Sequence, residues 1–352
     1  MSAPPLPGGG KRTPPLPLGE GWGEGEHVSV IIVNWNGLRY LERCLSSVLR
    51  QTYDDYDVLL VDNGSQDGSV AFVRERFPEV RILANPKNVG FAAGNNIGIA
   101  ATQGTYIATL NTDTEAEPGW LAALVAGMSA ASRVGMCASK MLFDSVRERI
   151  NSTGIAIDCA GIAWDRDGGR ADREAGCEAG EVFGPCAGAA LYRRKMLEQI
   201  GGFDEDFFYL YEDVDLAWRA RLAGWRCWYC PEARVYHVHA GAGTEGTPLK
   251  SYLLARNRIW TIIVNYPWPQ CLIYTPAMLF YDLLAVAYSL LVRRDVQALR
   301  GRLAGYASWP RLWRKRARVQ SLRSVSWPDL ARWLSPVEGP QSVLRRYAHL
   351  SR

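Results

Sequence analysis

The chain of 352 residues lacks a dense cysteine framework, a large net charge and a continuous apolar run at its N-terminus. Its eight cysteines are scattered, which argues against a disulfide-built domain and favours a reduced, cytoplasmic location. Cys227 and Cys230 form a single C-x-x-C with no second pair nearby, and we interpret them as packed thiols rather than a metal or redox site. The net charge of +4 is mild, and we expect no nucleic-acid partner.

The N-terminal segment, residues 1–26, is rich in proline and glycine and lacks the apolar core of a secretory signal. It shows almost no apolar periodicity. We therefore expect a disordered leader that takes no part in the fold.

A glycine-rich phosphate loop is also missing after the first strand-like run. That run, VSVIIVN at 28–34, leads into WNGLRYLE, which contains no G-x-G-x-x-G. A dinucleotide dehydrogenase opens its first helix with that pattern, so this class is excluded.

What the sequence does contain is a regular alternation between residues 28 and 113. Four runs rich in apolar and β-branched residues, within VSVIIVN, YDVLLVD, VRILA and TYIATLN, are separated by segments with helical periodicity. This alternation predicts βαβ units and a mostly parallel sheet. The pattern loosens after residue 120, and we expect the Gly/Asp/Arg-rich stretch around 158–182 to form a surface excursion.

Polar residues follow each predicted strand. Asn34, Asp62, the segment 85–88 and Asp113 all come at strand ends, and glycines at 90, 94 and 98 lie between the last two. Because the carboxyl ends of parallel strands meet at one sheet edge, we expect one shared ligand crevice. Asp113, directly after a buried strand, is suited to holding Mg²⁺ or Mn²⁺. The glycines favour close helix packing over a phosphate cradle, because no lysine follows them as in a P-loop.

Acidic residues are concentrated between positions 204 and 215, where aromatic side chains interleave with them. Glu212 and Asp213 follow that aromatic cluster, where desolvation would raise a carboxyl pKa toward the range of a general base. Asp215 and Arg219 are four residues apart on a predicted helix and form an expected surface ion pair. Further on, strand alternation places His237 and His239 on one face, so that one of them could contact a metal or phosphate.

The C-terminal third changes character. Residues 271–292 form an apolar stretch with one acid, Asp282, and one proline, Pro276, and Arg293 to Arg323 contains ten Lys/Arg against one acid. The length could span a bilayer, but a carboxylate near its middle is costly there. We favour an interfacial or partly inserted helix pair, and a buried core helix remains open.

Six motifs in order carry a specific resemblance: VIIVNWNG, LLVDNGSQDGS, NVGFAAGNNIG, LNTDTE, YEDVDLAWR and HVHAGAG. Together, over roughly residues 28–245, they resemble the family 2 inverting glycosyltransferases of the GT-A fold, and most closely the bacterial rhamnosyltransferase-like branch. The resemblance implies an α/β, Rossmann-like fold with a mostly parallel sheet over 27–247. A helical, membrane-associating region would follow at 248–352.

The resemblance also implies roles for individual residues. Asp213 is the implied general base, with Glu212 as the second choice, and Asp113 the implied metal ligand, with His239 the likelier histidine beside it. The D-x-D motif of the family reads Asn111-Thr112-Asp113 here, so its first carboxylate is missing. The implied contacts to the nucleotide sugar are Asn34, Asn36, Asp62, Asn88, Gly90, Gly94, Asn95, Asn111 and Thr112.

The implied reaction moves a sugar from a nucleoside-diphosphate sugar, of the dTDP-rhamnose or UDP-sugar type, to a glycan or lipid-linked hydroxyl. The expected setting is cell-envelope polysaccharide synthesis at the inner membrane face, with Mg²⁺ or Mn²⁺ as cofactor. Two alternatives stay open: a nucleotidyltransferase-like enzyme and an inactive nucleotide-sugar-binding protein. The first would be expected to carry a Gly-rich loop with Arg and Lys after the first strand, which this chain lacks.

Overall fold

The computed structural model describes residues 26–238 and 247–338. Its first part confirms the predicted alternation of strands and helices. The elements are β1 (Val28–Asn34), α1 (Leu38–Val48), β2 (Tyr56–Asp62), α2 (Ser69–Arg76), β3 (Arg81–Ala84), α3 (Phe91–Ala101) and β4 (Tyr106–Asn111). The apolar run of β1 forms a strand because it is buried along nearly its whole length, and α1 turns Leu41, Leu45 and Val48 into the core.

The middle of the chain builds the other half of the sheet and the helix that follows it. A single 3₁₀ turn at Glu205–Phe207 precedes that helix. The elements are β5 (Thr114–Ala116), α4 (Trp120–Gly127), β6 (Val134–Phe143), β7 (Ile150–Ser152), β8 (Ile155–Asp158), β9 (Ala163–Asp165), β10 (Gly180–Val182), β11 (Ala189–Arg193), α5 (Arg194–Ile200), α6 (Glu212–Leu222) and β12 (Arg226–His237).

The stretch around 158–182 is a surface segment, as its composition indicated, since residues 162–181 are all half-buried or exposed. It contributes β9 and β10, and β10 pairs with β12 at the sheet edge. Asp172 in its middle accepts a hydrogen bond from Lys140 Nζ at 2.7 Å, and this lysine is almost fully buried. Charge pairing with the sheet therefore holds a segment whose residue types resemble a surface loop.

The main sheet has the order β10-β12-β6-β11-β4-β1-β2-β3. The strands β3, β2, β1 and β4 are parallel neighbours, and β11 runs antiparallel between β4 and β6. The register pairs Asn34 with Asp62 and Val33 with Asn111, so the polar residues at the ends of β1, β2 and β4 lie side by side. The shared edge predicted from the sequence is present.

The last part of the described chain is mainly helical. Its elements are α7 (Pro248–Asn265), α8 (Trp268–Leu291), α9 (Gln297–Ala307), α10 (Trp309–Ser321), α11 (Trp327–Ala331) and the short strand β13 (Leu334–Ser335). Helix α7 packs against α6, α9 and α10. One apolar cluster joins α6 to these helices, with the Trp218 and Tyr266 ring centroids 4.8 Å apart.

Helix α8 is long and apolar enough to cross a membrane, yet it lies largely outside the core. Only 11% of its most apolar window is buried, and the buried residues along the helix are Gln270, Met278 and Asp282. A core helix would bury most of its apolar residues. Of the alternatives left open for this stretch, the buried core helix therefore does not fit the structure.

Candidate active site

The ends of β1 and β2 hold the first polar cluster of the candidate site. Asn34 Nδ2 donates to Asp62 Oδ1 at 2.8 Å and lies 3.0 Å from Ser65 Oγ, and both Asn34 and Asp62 are fully buried. The other Asp62 oxygen accepts from the Ser65 backbone N–H at 2.9 Å. Asp62 thus fixes the β2–α2 turn, and Ser65, which the sequence did not single out, joins the cluster.

Asn36 extends this cluster toward solvent. Its backbone N–H donates to Ser65 Oγ at 2.8 Å, and its Oδ1 accepts from the Gln66 backbone N–H at 2.8 Å. Asn36 has a positive φ of 50°, a conformation that asparagine tolerates better than most residues. The turns after β1 and β2 are consequently tied to each other, as expected for two walls of one crevice.

The glycine-containing segment packs closely against both β1 and the loop before α6. Gly90 has a φ of +91°, and a Cβ at this position would lie 2.5 Å from Phe208 Cδ2. A Cβ on Gly94 would lie 2.8 Å from Val33 Cγ1. Side chains are therefore excluded by neighbouring atoms, which confirms the packing interpretation over a phosphate cradle.

The asparagines of this segment shape it in two ways. Asn88 Oδ1 accepts from the Gly90 backbone N–H at 2.8 Å and so forms the turn into α3. Asn95 is buried and donates to the Phe91 carbonyl at 3.0 Å, while its Oδ1 has no partner. Asn88 thus belongs to the loop at the sheet edge, and Asn95 is held within its own helix.

The Asn111-Thr112-Asp113 turn places a nearly buried carboxylate at the same edge. Asp113 is 9% exposed, and His237 Nε2 lies 3.2 Å from its Oδ1. Thr112 Oγ1 lies 3.2 Å from where a Cβ on Gly37 would be, at the start of α1. His239, the other predicted ligand, lies outside the described residues.

The Asp113–His237 pair fits a divalent cation. His237 Nδ1 contacts Asn151 Oδ1 at 2.8 Å, the kind of partner that orients metal-ligating histidines. When His237 Nδ1 donates to Asn151, the other ring nitrogen, Nε2, is an acceptor. It then faces a second acceptor, Asp113 Oδ1, and a cation between the two would stabilise them. Within residues 26–238 and 247–338 no group of three or more His, Cys, Asp and Glu meets the geometry of a metal site. Two protein ligands are what Mg²⁺ commonly uses beside phosphate oxygens and water.

Two neighbouring carboxyl groups, those of Glu212 and Asp213, lie at the start of α6. Burial, together with the charge of Asp165, raises the pKa of Asp213 to about 6 against the hydrogen bond from the Ala187 backbone N–H. Glu212 is 6% exposed with one oxygen unpartnered, and burial followed by the charge of Asp213 raises its pKa well above the ordinary value. The pKa of Asp213 thus lies near neutral pH, and the pKa of Glu212 is displaced upward by burial and by the neighbouring charge.

A short segment, Ala187-Gly188, connects Asp213 to the Asn111-Thr112-Asp113 turn. The Ala187 backbone N–H donates to Asp213 Oδ2 at 3.3 Å, and the Asn111 backbone N–H donates to the Gly188 carbonyl at 2.9 Å. Thr109 Oγ1 fixes the same segment from β4 by donating to the Ala187 carbonyl at 2.7 Å. The residue chosen as base and the end of β4 therefore contact consecutive residues, which brings the two halves of the predicted site together.

The Asp215–Arg219 pair is present but is not on the surface. Arg219 Nε donates to Asp215 Oδ2 at 2.7 Å, and their side chains are 7% and 1% exposed. Asn265 at the end of α7 donates to the other Asp215 oxygen at 2.7 Å. The spacing predicted the pair correctly, and its burial follows from the packing of α7 on α6.

A residue that the sequence did not point to, Asn257 on α7, holds the loop before the base. It is fully buried, and its Nδ2 lies 3.0, 3.1 and 2.7 Å from the carbonyls of Phe207, Tyr209 and Leu210. Three non-glycine residues of this loop have positive φ, namely Phe208, Leu210 and Tyr211. Such strain persists only where the surroundings hold it. Asn257 supplies that hold directly before Glu212 and Asp213.

We expect Asn257→Ala to lower kcat by about tenfold to a hundredfold with little change in the KM for the donor, because the loop that positions Asp213 relaxes. Steady-state kinetics with varied donor measure this. Asn265→Ala is the matched control, since it removes a buried amide of α7 that contacts Asp215 rather than the loop. Equal losses of kcat in both variants would reduce Asn257 to a purely structural role.

Comparison with known proteins assigns the chain. The family model described as glycosyl transferase family 2 matches residues 29–201. An N-acetylglucosaminyl-diphospho-decaprenol L-rhamnosyltransferase of Mycobacterium tuberculosis (strain ATCC 25618 / H37Rv) is 30% identical over 253 residues, covering 65% of this chain and 81% of the relative. The chain belongs to glycosyl transferase family 2. It is a transferase, and the family predicted from the six sequence motifs is confirmed.

Solved structures confirm the GT-A-like fold of this glycosyltransferase. GalNAc-T7 with UDP, GalNAc and Mn²⁺ superposes with a TM-score of 0.59 at 18% identity, covering 81% of this chain and 56% of that chain. The mannosyltransferase PcManGT of Pyrobaculum calidifontis, in complex with GDP-Man and Mn²⁺, gives a TM-score of 0.52 at 18% identity. The superposition covers 92% of this chain and 85% of that chain. Both neighbours were solved with Mn²⁺ bound.

Proposed function

We propose that this glycosyltransferase inverts the anomeric centre of a nucleoside-diphosphate sugar and transfers the sugar to an acceptor hydroxyl. The observation that carries the proposal is Asp213. It is a carboxylate with a pKa raised to about 6, at the start of α6, with a short segment joining it to the end of β4. A general base works best when its pKa lies near the operating pH.

In this proposal Asp213 takes the proton of the acceptor hydroxyl as that oxygen attacks the anomeric carbon. Attack from the side opposite the leaving diphosphate inverts the configuration. Glu212 stays neutral beside the base, so the pair holds one negative charge instead of two. The neutral Glu212 thereby keeps Asp213 from being pushed to a still higher pKa by a second carboxylate.

The donor occupies the edge formed by β1, β2 and β4 in the proposal. Asn34, Asn36 and Asp62 lie beside the nucleoside, with Asp62 turned toward the base or ribose. The loop that Asn88 and Gly90 form lies next to the sugar, and Gly94 and Asn95 support it from α3. Asn111 and Thr112 flank the diphosphate. The hydrogen bonds among Asn34, Asp62 and Ser65 support this, because they pre-organise the polar groups at that edge.

Asp113 and His237 are the residues that would hold Mg²⁺ or Mn²⁺ in the described part of the chain. When bound, such an ion neutralises negative charge on a diphosphate leaving group. His239, which lies outside the described residues, stays in the proposal as the second histidine because the alternation of the sequence predicts it on the same face as His237. The protein itself contributes the orientation of His237 through Asn151.

The acceptor in the proposal is a glycan or lipid-linked hydroxyl of cell-envelope polysaccharide synthesis, reached from the cytoplasmic side of the membrane. The mycobacterial relative is named for a diphospho-decaprenol acceptor and L-rhamnose, which supports a lipid-linked acceptor and a dTDP-rhamnose or UDP-sugar donor. Residues 27–247 form the GT-A domain in this proposal, and 248–352 the helical region on the acceptor side. The contacts of Asn257 with the loop before Asp213 support that placement.

A donor panel tests the proposal. The full chain is incubated with Mn²⁺ and a series of UDP-, dTDP- and GDP-sugars, and release of nucleoside diphosphate is followed with and without a polyprenyl-diphosphate-linked sugar. We expect release from one donor class, accelerated by the acceptor, with the product linkage inverted by NMR. With pyrophosphate added, formation of a nucleoside triphosphate and a sugar 1-phosphate from the donor would indicate the nucleotidyltransferase alternative. Donor binding without any release would indicate an inactive binding protein.

A further inference from the structure

Helix α8 presents a continuous apolar face that the rest of the described chain leaves uncovered. Leu272, Leu279, Leu283 and Leu290 recur at helical spacing, and the first and third are 73% and 71% exposed. Large apolar side chains next to this row are also exposed: Ile273, Phe280, Leu291 and Val292. A helix of 24 residues is about 36 Å long, so the face is far larger than the scattered apolar residues of an ordinary surface.

The midpoint of α8 is tied to the protein by a buried carboxylate. Arg258 of α7 and Arg302 of α9 each place a guanidinium nitrogen 2.7 Å from Asp282 Oδ1, and Tyr306 donates to Oδ2 at 3.0 Å. A spanning helix would carry this position to the centre of the bilayer, where a carboxylate and its two arginines are costly. The ion cluster instead keeps the middle of α8 against α7 and α9, so the helix lies along the protein surface.

Aromatic and basic side chains frame the apolar face at both of its ends. At the start of α8, Trp268, Trp309 and Trp313 stack in a row with ring centroids 5.7 and 5.2 Å apart, and each is about half exposed. Arg311, Arg314 and Arg318 are exposed on α10 beside them, and Arg293 and Arg294 follow α8 at its other end. Tryptophan prefers the membrane–water interface, and exposed arginines attract anionic lipid headgroups.

The same helices contact the loop that precedes the base. Arg256 and Asn257 on α7 bond to carbonyls of that loop, and the next residue, Arg258, bonds to Asp282 on α8. On α10, Lys315 pairs with Asp204 and Asp206, and Arg311 pairs with Asp206. The surface that carries the apolar face is therefore joined by direct contacts to the acceptor side of the site.

We propose that α8 lies in the plane of the membrane interface, with its leucine face in the lipid and the arginines at its two ends on anionic headgroups. The chain is then a monotopic protein whose α8 does not cross the bilayer. The consequence for catalysis rests on the proposed function: the base loop faces a hydroxyl presented at the membrane surface. Lipid binding itself does not depend on which sugar is transferred.

Vesicle co-sedimentation of the full chain tests the proposal. We expect binding to phosphatidylcholine vesicles that contain phosphatidylglycerol, weaker binding without the anionic lipid, and partial release by salt. Leu272→Glu with Leu283→Glu should lower the vesicle affinity by about tenfold or more, since two exposed leucines no longer enter the lipid. Val146→Glu, an equally drastic change at an exposed position before β7, is the matched control and should leave binding unchanged.

The depth of the tryptophans in the bilayer and the oligomeric state of the chain distinguish the in-plane helix from a spanning helix and from a subunit interface. Tryptophan fluorescence should be quenched more by lipids brominated near the headgroup than by lipids brominated near the methyl end, and the reverse order would overturn the in-plane arrangement. A wild-type dimer that the double glutamate variant converts to a monomer, without vesicle binding, would make the face a subunit interface. Binding of UDP and dTDP, measured in parallel, separates a failure of lipid binding from a failure of the proposed function.

Discussion

Replacing Asp213 with asparagine is expected to lower the rate of sugar transfer by about 10³-fold, within the 10²–10⁴-fold range of general base catalysis. Asn keeps the size of the side chain and can still contact the Ala187 backbone, but it cannot accept the proton of the acceptor hydroxyl. Nucleotide affinity should stay nearly unchanged, because the polar groups at the ends of β1 and β2 do not involve Asp213. Single-turnover transfer and calorimetric binding of UDP and dTDP measure the two quantities separately.

The pH dependence of the wild-type enzyme sharpens this test. With a pKa of about 6, Asp213 should be protonated below that pH. We therefore expect kcat/KM to decrease as the pH is lowered below about 6 and to be constant above it. Glu212→Gln is the matched control, since Gln resembles the protonated carboxyl that burial favours at this position. If Glu212→Gln abolished transfer while Asp213→Asn retained it, the roles of the two acids would be exchanged.

The same raised pKa predicts a stability effect with a definite sign. The folded pKa of Asp213 lies above its unfolded value of 3.8, so stability from the protonated form is present at low pH and lost as pH rises through about 6. Asp213→Asn removes that loss. At pH about 8 the free energy of unfolding of the variant should exceed that of the wild type by up to about 3 kcal/mol. The advantage should shrink toward pH about 4, where the wild-type carboxyl is protonated as well.

Local periodicity predicted the elements of the first half because those elements are stabilised by their own patterns. The buried run of β1 and the apolar stripe of α1 can be recognised within ten residues of sequence. The shared polar edge followed from topology, because parallel strands joined by helices place their carboxyl ends together. These inferences needed no knowledge of distant contacts.

The parts that the sequence did not predict depend on side chains from distant segments. Asn257 is about 50 residues from the carbonyls that it holds, and an asparagine in an apolar helix has no pattern that marks it. The sequence showed that a carboxylate at Asp282 is costly within an apolar stretch. Its partners Arg258 and Arg302 could not be predicted, because they come from two other helices. The Asp215–Arg219 spacing predicted the ion pair, whereas its burial required the position of α7.

The candidate metal centre shows an intermediate case. Strand alternation identified His237 and His239 together, and the family resemblance favoured His239. His237 is the one whose Nε2 lies 3.2 Å from Asp113. The antiparallel pairing of β12 with β5 brings His237 opposite Thr114, next in sequence to Asp113. Without that pairing, the contact of His237 with Asp113 could not be predicted from the sequence, and His239 lies outside the described residues.

Replacing Asp113 with alanine is expected to weaken the binding of UDP or dTDP in Mn²⁺ by about a hundredfold, while the affinity in EDTA changes little. In the proposed function Asp113 is the one charged oxygen ligand of this motif, because Asn111 stands where the first carboxylate would be. Loss of Asp113 would then remove most of the protein's hold on the ion. His237→Gln should show a smaller, about tenfold, loss that is also confined to Mn²⁺. Calorimetry with the nucleotide alone gives these values without any turnover.

Asn151→Ala tests whether the Asp113–His237 pair binds a metal or only packs within the fold. Asn151 contacts His237 Nδ1, so its removal should lower the Mn²⁺-dependent part of nucleotide affinity and leave the EDTA value unchanged. A metal-free role for Asp113 makes a different prediction: both conditions would lose affinity equally, because the carboxylate would then act through the fold of the turn. Equal losses in Mn²⁺ and EDTA would thus remove the metal from the site, and a loss confined to Mn²⁺ would assign Asp113 and His237 to it.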